Sequence, residues 1–136
     1  MRPFTVAVAA LIALGASVPA QAAGAPTRAS VTAPTPKSEL FLTVAESEDT
    51  WIRGVQLRCE PKPSGRHPHA ALACAEIAGA AGNLNALPRL KRPCTKKYDP
   101  VTASAHGSHR GRGVSWVKVF PNRCELDVAT GSVFRF

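Results

Sequence analysis

The chain has 136 residues, 17 Lys and Arg against 9 Asp and Glu, a formal net charge of +8, and four cysteines. With a leader set aside, that length holds one small domain and excludes two. There is no lipidation motif and no apolar span beyond the first residues. The basicity admits nucleic acid, an anionic membrane or an acidic substrate as partner, or plain solubility.

Residues 1–22 have the pattern of a secretory leader. Arg2 supplies the positive start, "FTVAVAALIALGASV" the apolar centre, and Ala20-Gln21-Ala22 a small-x-small cleavage site, with the cut after Ala22 or Ala23. The apolar run is short of the roughly 20 residues a membrane span needs, and no basic stop-transfer cluster follows. The expectation is a secreted, extracellular protein with no membrane association. Gly24 to Lys37 is Pro, Ala, Thr and Ser without apolar periodicity, so 23–37 reads as a disordered arm. The folded domain then occupies 38–136.

Within it, "ELFLTVAE" alternates Leu40, Leu42 and Val44 inward, a strand signal. "WIRGVQLRC" alternates Ile52, Val55 and Leu57 imperfectly, which predicts a strand with an irregularity at Gly54. "EPKPSGRHP" is rich in turn residues and reads as a loop. From His69 to Asn83 the chain is alanine-rich, with Leu72, Ala75, Ile77 and Ala80 near helical spacing. That predicts a helix stopped around Gly79–Gly82. "NLNALPRLKRPCTKKYDP" is long and mostly irregular, with one helical turn at Leu84–Leu87. A loop of that length in a small domain is usually functional. "GVSWVKVF" is a strand with Val114, Trp116 and Lys118 facing one way and Ser115, Val117 and Val119 the other. "CELDVATGSVFRF" reads as a final hairpin turning near Thr130-Gly131. The fold class is α+β, an antiparallel sheet with one main helix and an exposed, disulfide-tethered loop.

Cys59, Cys74, Cys94 and Cys124 are an even set in a short exported chain, which argues for two disulfides. Of the three pairings we take the sequential one, Cys59–Cys74 and Cys94–Cys124. The first closes a separation of 15 residues, worth about 3 kcal/mol by chain entropy. No C-x-x-C pair exists, and His67, His69, His106 and His109 sit in Pro- and Gly-rich loops without carboxylates. Neither set suggests a metal. With the cysteines committed and no G-x-S-x-G elbow or acid/base pair of carboxylates, no enzyme and no cofactor is expected. "HGSHRGRG" (His106 to Gly113) is basic and glycine-rich but lacks the aromatics of nucleic-acid modules, so it reads as a flexible hairpin connection.

The stretch "RPCTKKYDPV" is different. Lys91, Arg92, Lys96 and Lys97 cluster around Cys94, a half-cystine that anchors one side, while Tyr98-Asp99-Pro100 stiffens the other. Proteases read the residue before the scissile bond, called P1, in a pocket, and lysine suits one with a carboxylate at its base. A flexible loop of this chemistry is a substrate. A rigid one inhibits, because its ordering is done before binding.

Several motifs together give a resemblance. "CEPKPSGRHPHAALACAEI" carries Cys59, Pro61, Gly65, His67, Pro68, Ala73 and Cys74 in fixed spacing, with Ile77 where leucine is usual; "GNLNAL", "YDPV", "VSW", "VFPNRCE" and "GSVFRF" follow. In these, from about Leu40 to Phe136, the chain resembles the Streptomyces subtilisin inhibitor (SSI)-like family. The resemblance implies a five-stranded antiparallel sheet with two helices, the sequential disulfides, a homodimer, and substrate-like inhibition of serine proteases. It implies Cys94 as P3, Thr95 as P2, Lys96 as P1 and Lys97 as P1′, hence a reactive bond Lys96–Lys97. It also implies that Asn122 supports the loop from behind. The best-known member has proline at P2 and methionine at P1. Thr95 and Lys96 instead shift the expected preference toward trypsin-like enzymes, since an ammonium can pair with a pocket carboxylate, with weaker inhibition of subtilisin-like enzymes retained. "VTASAHGSH" is more polar than the family's apolar strand at that place.

Two rival readings stand beside the inhibitor. One is a cationic secreted binding module, motivated by the charge and the 106–113 segment, whose affinity would fall steeply with salt. The other is a substrate or regulator of a secreted enzyme such as a transglutaminase, with which the family is associated, through Gln56 and several lysines.

Overall fold

The structure is a computed structural model describing residues 38–46 and 50–136. The expected leader (1–22) and arm (23–37) lie outside the described residues. Among the described residues, three strands, β1 (Glu39–Glu46), β2 (Ile52–Arg58) and β3 (Ser64–Gly65), precede helix α1 (Ala70–Gly79), and two more, β4 (Val101–His109) and β5 (Arg112–Phe120), precede helix α2 (Arg123–Thr130). The strands form one antiparallel sheet in the order β3-β2-β1-β4-β5. A 3-10 turn at Leu84–Ala86 follows α1, where one helical turn was expected.

Period-two alternation decides which face is covered. Leu40, Leu42 and Val44 of β1, Leu57 of β2, Val101, Ala103 and Ala105 of β4 and Phe120 of β5 are buried on one side. Against them pack Ala73, Cys74 and Ile77 of α1, Leu126 of α2, and Val133 and Phe134 of the tail, all in one core cluster. Val114 and Trp116 of β5 join its edge. Among the described residues no helix lies over the opposite face, and Phe41, Ile52, Val117 and Val119 there stay between 53% and 64% exposed. Both disulfides form with the sequential pairing. Cys59–Cys74 ties the end of β2 to the buried side of α1, with Cα atoms 5.4 Å apart.

Four local readings are corrected. The predicted irregularity at Gly54 is absent: the β1–β2 register runs through it unbroken, with Gly54 opposite Thr43. The glycine instead makes room for a neighbouring ring, since a Cβ there would lie 2.8 Å from Cζ of Phe41. The "EPKPSGRHP" segment is not wholly a loop, because Ser64–Gly65 pairs with Leu57 and Arg58. Gly65 manages this at φ +106, where a Cβ would lie 2.3 Å from the Gln56 carbonyl oxygen.

The segment from His106 to Gly113 is not a flexible connection either. β4 runs through His109 and β5 starts at Arg112. Only Arg110 (φ 50) and Gly111 (φ 76) turn the chain, the two-residue, doubly positive-φ hairpin that matches strand twist. The polar "VTASAHGSH" forms a full nine-residue strand because its apolar residues, Val101, Ala103 and Ala105, alternate inward.

The fourth correction is the C-terminal part. "RCELDVAT" is helix α2 rather than half of a hairpin. Asn122 caps it: its side-chain oxygen accepts the Glu125 N–H at 2.9 Å, and Glu125 sits in the first turn, where the helix dipole favours an acid. Gly131, at φ 61, ends the helix by donating its N–H to the Asp127 carbonyl at 3.0 Å.

Candidate functional site

Residues 88–100 have no regular secondary structure, yet they are tied down at many points. Cys94 is bonded to Cys124 in the first turn of α2, with Cα atoms 5.7 Å apart across a separation of 30 residues. Closing such a separation restricts the unfolded chain by roughly 3–4 kcal/mol. The cap residue Asn122 lies between loop and helix and is only 7% exposed. While its oxygen caps α2, its Nδ2 donates to the carbonyl of Thr95 at 3.2 Å and to that of Lys97 at 2.8 Å. One carbonyl on each side of Lys96 is therefore held from behind. The Lys96 side chain is exposed, and among the described residues nothing pairs with its ammonium.

The flanking arms are fixed as well. Before Cys94, the Leu90 N–H donates to the Val128 carbonyl at 2.8 Å. Arg89 reaches Glu125 at 3.8 Å, and Arg92 reaches Asp127 at 3.5 Å. Asp127 also meets Arg123 at 3.4 Å, so one carboxylate of α2 joins the loop's arginine to the helix's own. After the two lysines, the Asp99 N–H donates to the Pro121 carbonyl at 2.9 Å. Lys97 pairs with Asp99 at 3.6 Å, both side chains more than half exposed, a contact worth at most about 1 kcal/mol. Tyr98 is 77% exposed.

The expected site residues Cys94, Thr95, Lys97, Asp99 and Asn122 are thus brought together around Lys96, all against the start of α2. The Asp127 clasp and the Pro121 carbonyl were not foreseen from the sequence. The signal that could have led to them is Asn122-x-x-Glu125, a helix-start pattern that puts a platform under the loop.

The histidines are scattered. His67 is buried; its Nδ1 accepts the His69 N–H at 3.0 Å, so Nε2 carries the proton it donates to the Val133 carbonyl at 2.9 Å. Burial holds its pKa below the usual histidine value, against the opposing pull of the Val133 bond. His109 is buried beside Gly82, and among the described residues neither ring nitrogen has a hydrogen-bond partner. Burial, and then the Arg110 charge, lower its pKa, with Glu60 opposing. His106 lies on the outer face near Ser115. Among the described residues no three His, Cys, Asp or Glu side chains converge as a metal site.

Comparison with known proteins identifies the family. A family model described as "Subtilisin inhibitor-like" matches residues 36–122. The "Subtilisin inhibitor" of Streptomyces albogriseolus is 42% identical over 104 residues, covering 73% of this chain and 72% of that protein. "Kexstatin-1" of Streptomyces platensis is 37% identical over an alignment of 148 positions that spans both chains entirely. Streptomyces caespitosus sermetstatin, solved in complex with Bacillus licheniformis subtilisin, superposes with a TM-score of 0.61 at 30% identity, covering 73% of this chain and 98% of its own. The chain belongs to the subtilisin inhibitor-like family, whose members are protease inhibitors rather than enzymes.

Proposed function

We propose that the chain is a secreted serine protease inhibitor whose reactive bond is Lys96–Lys97, with Cys94 at P3, Thr95 at P2 and Lys96 at P1. One observation carries the reading: Asn122 grips the carbonyls on both sides of Lys96, while the Lys96 side chain is exposed and, among the described residues, unpaired. Lysine at P1 favours trypsin-like enzymes. The subtilisin bound to the related sermetstatin supports subtilisin-like enzymes as further targets. The order already present in the loop need not be acquired on binding, and nanomolar or tighter affinity is expected for a protease–inhibitor interface of standard size.

The test is a side-by-side titration of trypsin and subtilisin. Lys96→Gly should remove most trypsin inhibition, and Lys97→Ala should cost less. The reverse ranking would place the bond one residue later. Slow hydrolysis should yield an end at Lys96, identified by mass spectrometry. Inhibition unaffected by moderate salt, with no retention on heparin or DNA, would set the cationic binding module aside. The protein acts as a homodimer in this reading, supported by the sheet face on which Phe41, Ile52, Val117 and Val119 are exposed and, among the described residues, no helix packs. Sedimentation of Val117→Lys should show monomers where the parent shows dimers.

A further inference from the structure

We propose that Trp51 and Arg53 form a second contact with the inhibited protease, on the side of the loop that follows the reactive bond. This rests on the reading of Lys96–Lys97 as the reactive bond. The sheet brings these residues to the loop. Glu46 at the end of β1 pairs with Val101, the first residue of β4, two positions beyond Asp99. The hairpin from β1 to β2 closes at this same end, where the Glu46 N–H donates to the Trp51 carbonyl at 3.3 Å. Thr50 also donates to the Glu46 carboxylate, which lowers that group's pKa. An open concavity of about 520 Å³ results, shared by Glu46, Trp51, Arg53, Asp99, Arg123 and Phe136.

The groups lining it are unequally engaged. Arg123 is bound to the Phe134 carbonyl and to Asp127, Asp99 to Lys97, and Glu46 to Thr50. Trp51 remains 36% exposed. The Arg53 guanidinium lies 5.9 Å from the centre of its ring, and among the described residues Arg53 has no carboxylate partner. The ring weakly attracts the cation above it, so part of the side-chain freedom lost on contact is already reduced.

Size makes the same point. A standard interface takes about 800 Å² and 20–30 residues from each partner, far more than Thr95 to Asp99 can supply. Trp and Arg are the residues that most often dominate binding energy. The fitting partner is the protease rim beyond its cleft, with an apolar patch for Trp51 and a carboxylate for Arg53.

The experiment compares the parent with Trp51→Ala, Arg53→Gln, Lys96→Gly and Leu72→Ala, the last an exposed position on α1. Dissociation rates from trypsin are measured, with melting temperature as the fold check. Trp51→Ala should speed dissociation about tenfold or more, Arg53→Gln by a few-fold, and Leu72→Ala not at all. In a parallel arm without variants, oxidative labelling of Trp51 should fall in the complex while labelling of Leu72 does not. Unchanged dissociation for both hairpin variants together with unchanged Trp51 labelling overturns this inference, provided Lys96→Gly still abolishes inhibition. If Lys96→Gly inhibits normally, the reactive-bond reading itself fails.

Discussion

The two disulfides close separations of 15 and 30 residues and serve unlike regions. Cys59–Cys74 lies with the hydrophobic core, where Cys74 packs in one cluster with Leu57 and Ile77. Cys94–Cys124 lies outside that cluster, half-buried beneath a segment with no ladder of its own. In the first region the crosslink reinforces what burial already achieves. In the second it supplies order that packing does not, in concert with Asn122 and the Asp127 clasp. Global stability and inhibitory competence should therefore be separable properties of one small domain.

The largest expected effect tests that separation directly. Replacing Cys59 and Cys74 by Ala frees the unfolded chain and leaves a void in the core, a loss of about 2–5 kcal/mol. Below its lowered melting temperature the folded protein should still bind trypsin with the parent affinity. Replacing Cys94 and Cys124 by Ala should weaken inhibition by about two orders of magnitude, the equivalent of roughly 3 kcal/mol. It should also turn the Lys96–Lys97 bond into one that trypsin cleaves quickly. Parallel titrations and thermal melts decide it, and proportional losses of stability and inhibition in both variants would end the distinction.

Asn122 sharpens the comparison because it belongs to both the loop and a structural helix. Asn122→Ala should lower stability by about 1 kcal/mol through the lost cap and also speed cleavage of the loop. Asn122→Asp keeps an acceptor for the Glu125 N–H but cannot donate to the carbonyls of Thr95 and Lys97. Its buried carboxylate would face those two carbonyl oxygens, so it should melt below the parent despite the kept cap and be cleaved faster, as thermal melts and peptide mapping over time would show.

The smallest effect is one of pH, and it should fall on the core region alone. His67 and His109 are both held neutral, with pKa values lowered mainly by burial. The unfolded chain binds protons near pH 6.5 that the folded chain refuses, so their contribution is complete above that pH and is lost as pH falls toward the lowered values. Melting temperature should decline from pH 7 to pH 5, less steeply in His109→Phe, which removes two unpartnered nitrogens.

The sequence carried the strands with clean alternation, β1 and β5, and the alanine-rich helix α1. Each announces itself over a window of neighbouring residues. Helix α2 was misread because its eight residues place Leu126, Val128 and Thr130 at strand spacing, all buried. A short helix whose face is set by the surrounding core can imitate a strand's period. Gly54 was misread because its reason lies across the sheet, under the Phe41 ring, where no local pattern reaches. The polar strand β4 pairs on both sides, with β1 and with β5, and its tolerance for Ser and His comes from that shared ladder. At the site, the Cys94-tethered lysines were visible as a cluster. The clasp of Arg92 and Arg123 on Asp127 joins residues far apart in the chain and needed the fold.

Because Asn122 caps α2 through one atom and holds the loop through another, the helix and the loop are energetically linked. Whatever steadies the loop steadies the first turn of the helix by the coupling free energy between them, which is the same in either direction. The Glu125 amide thereby becomes an internal gauge: its hydrogen exchange should slow when a protease closes on Lys96 and quicken when the loop is cut and released.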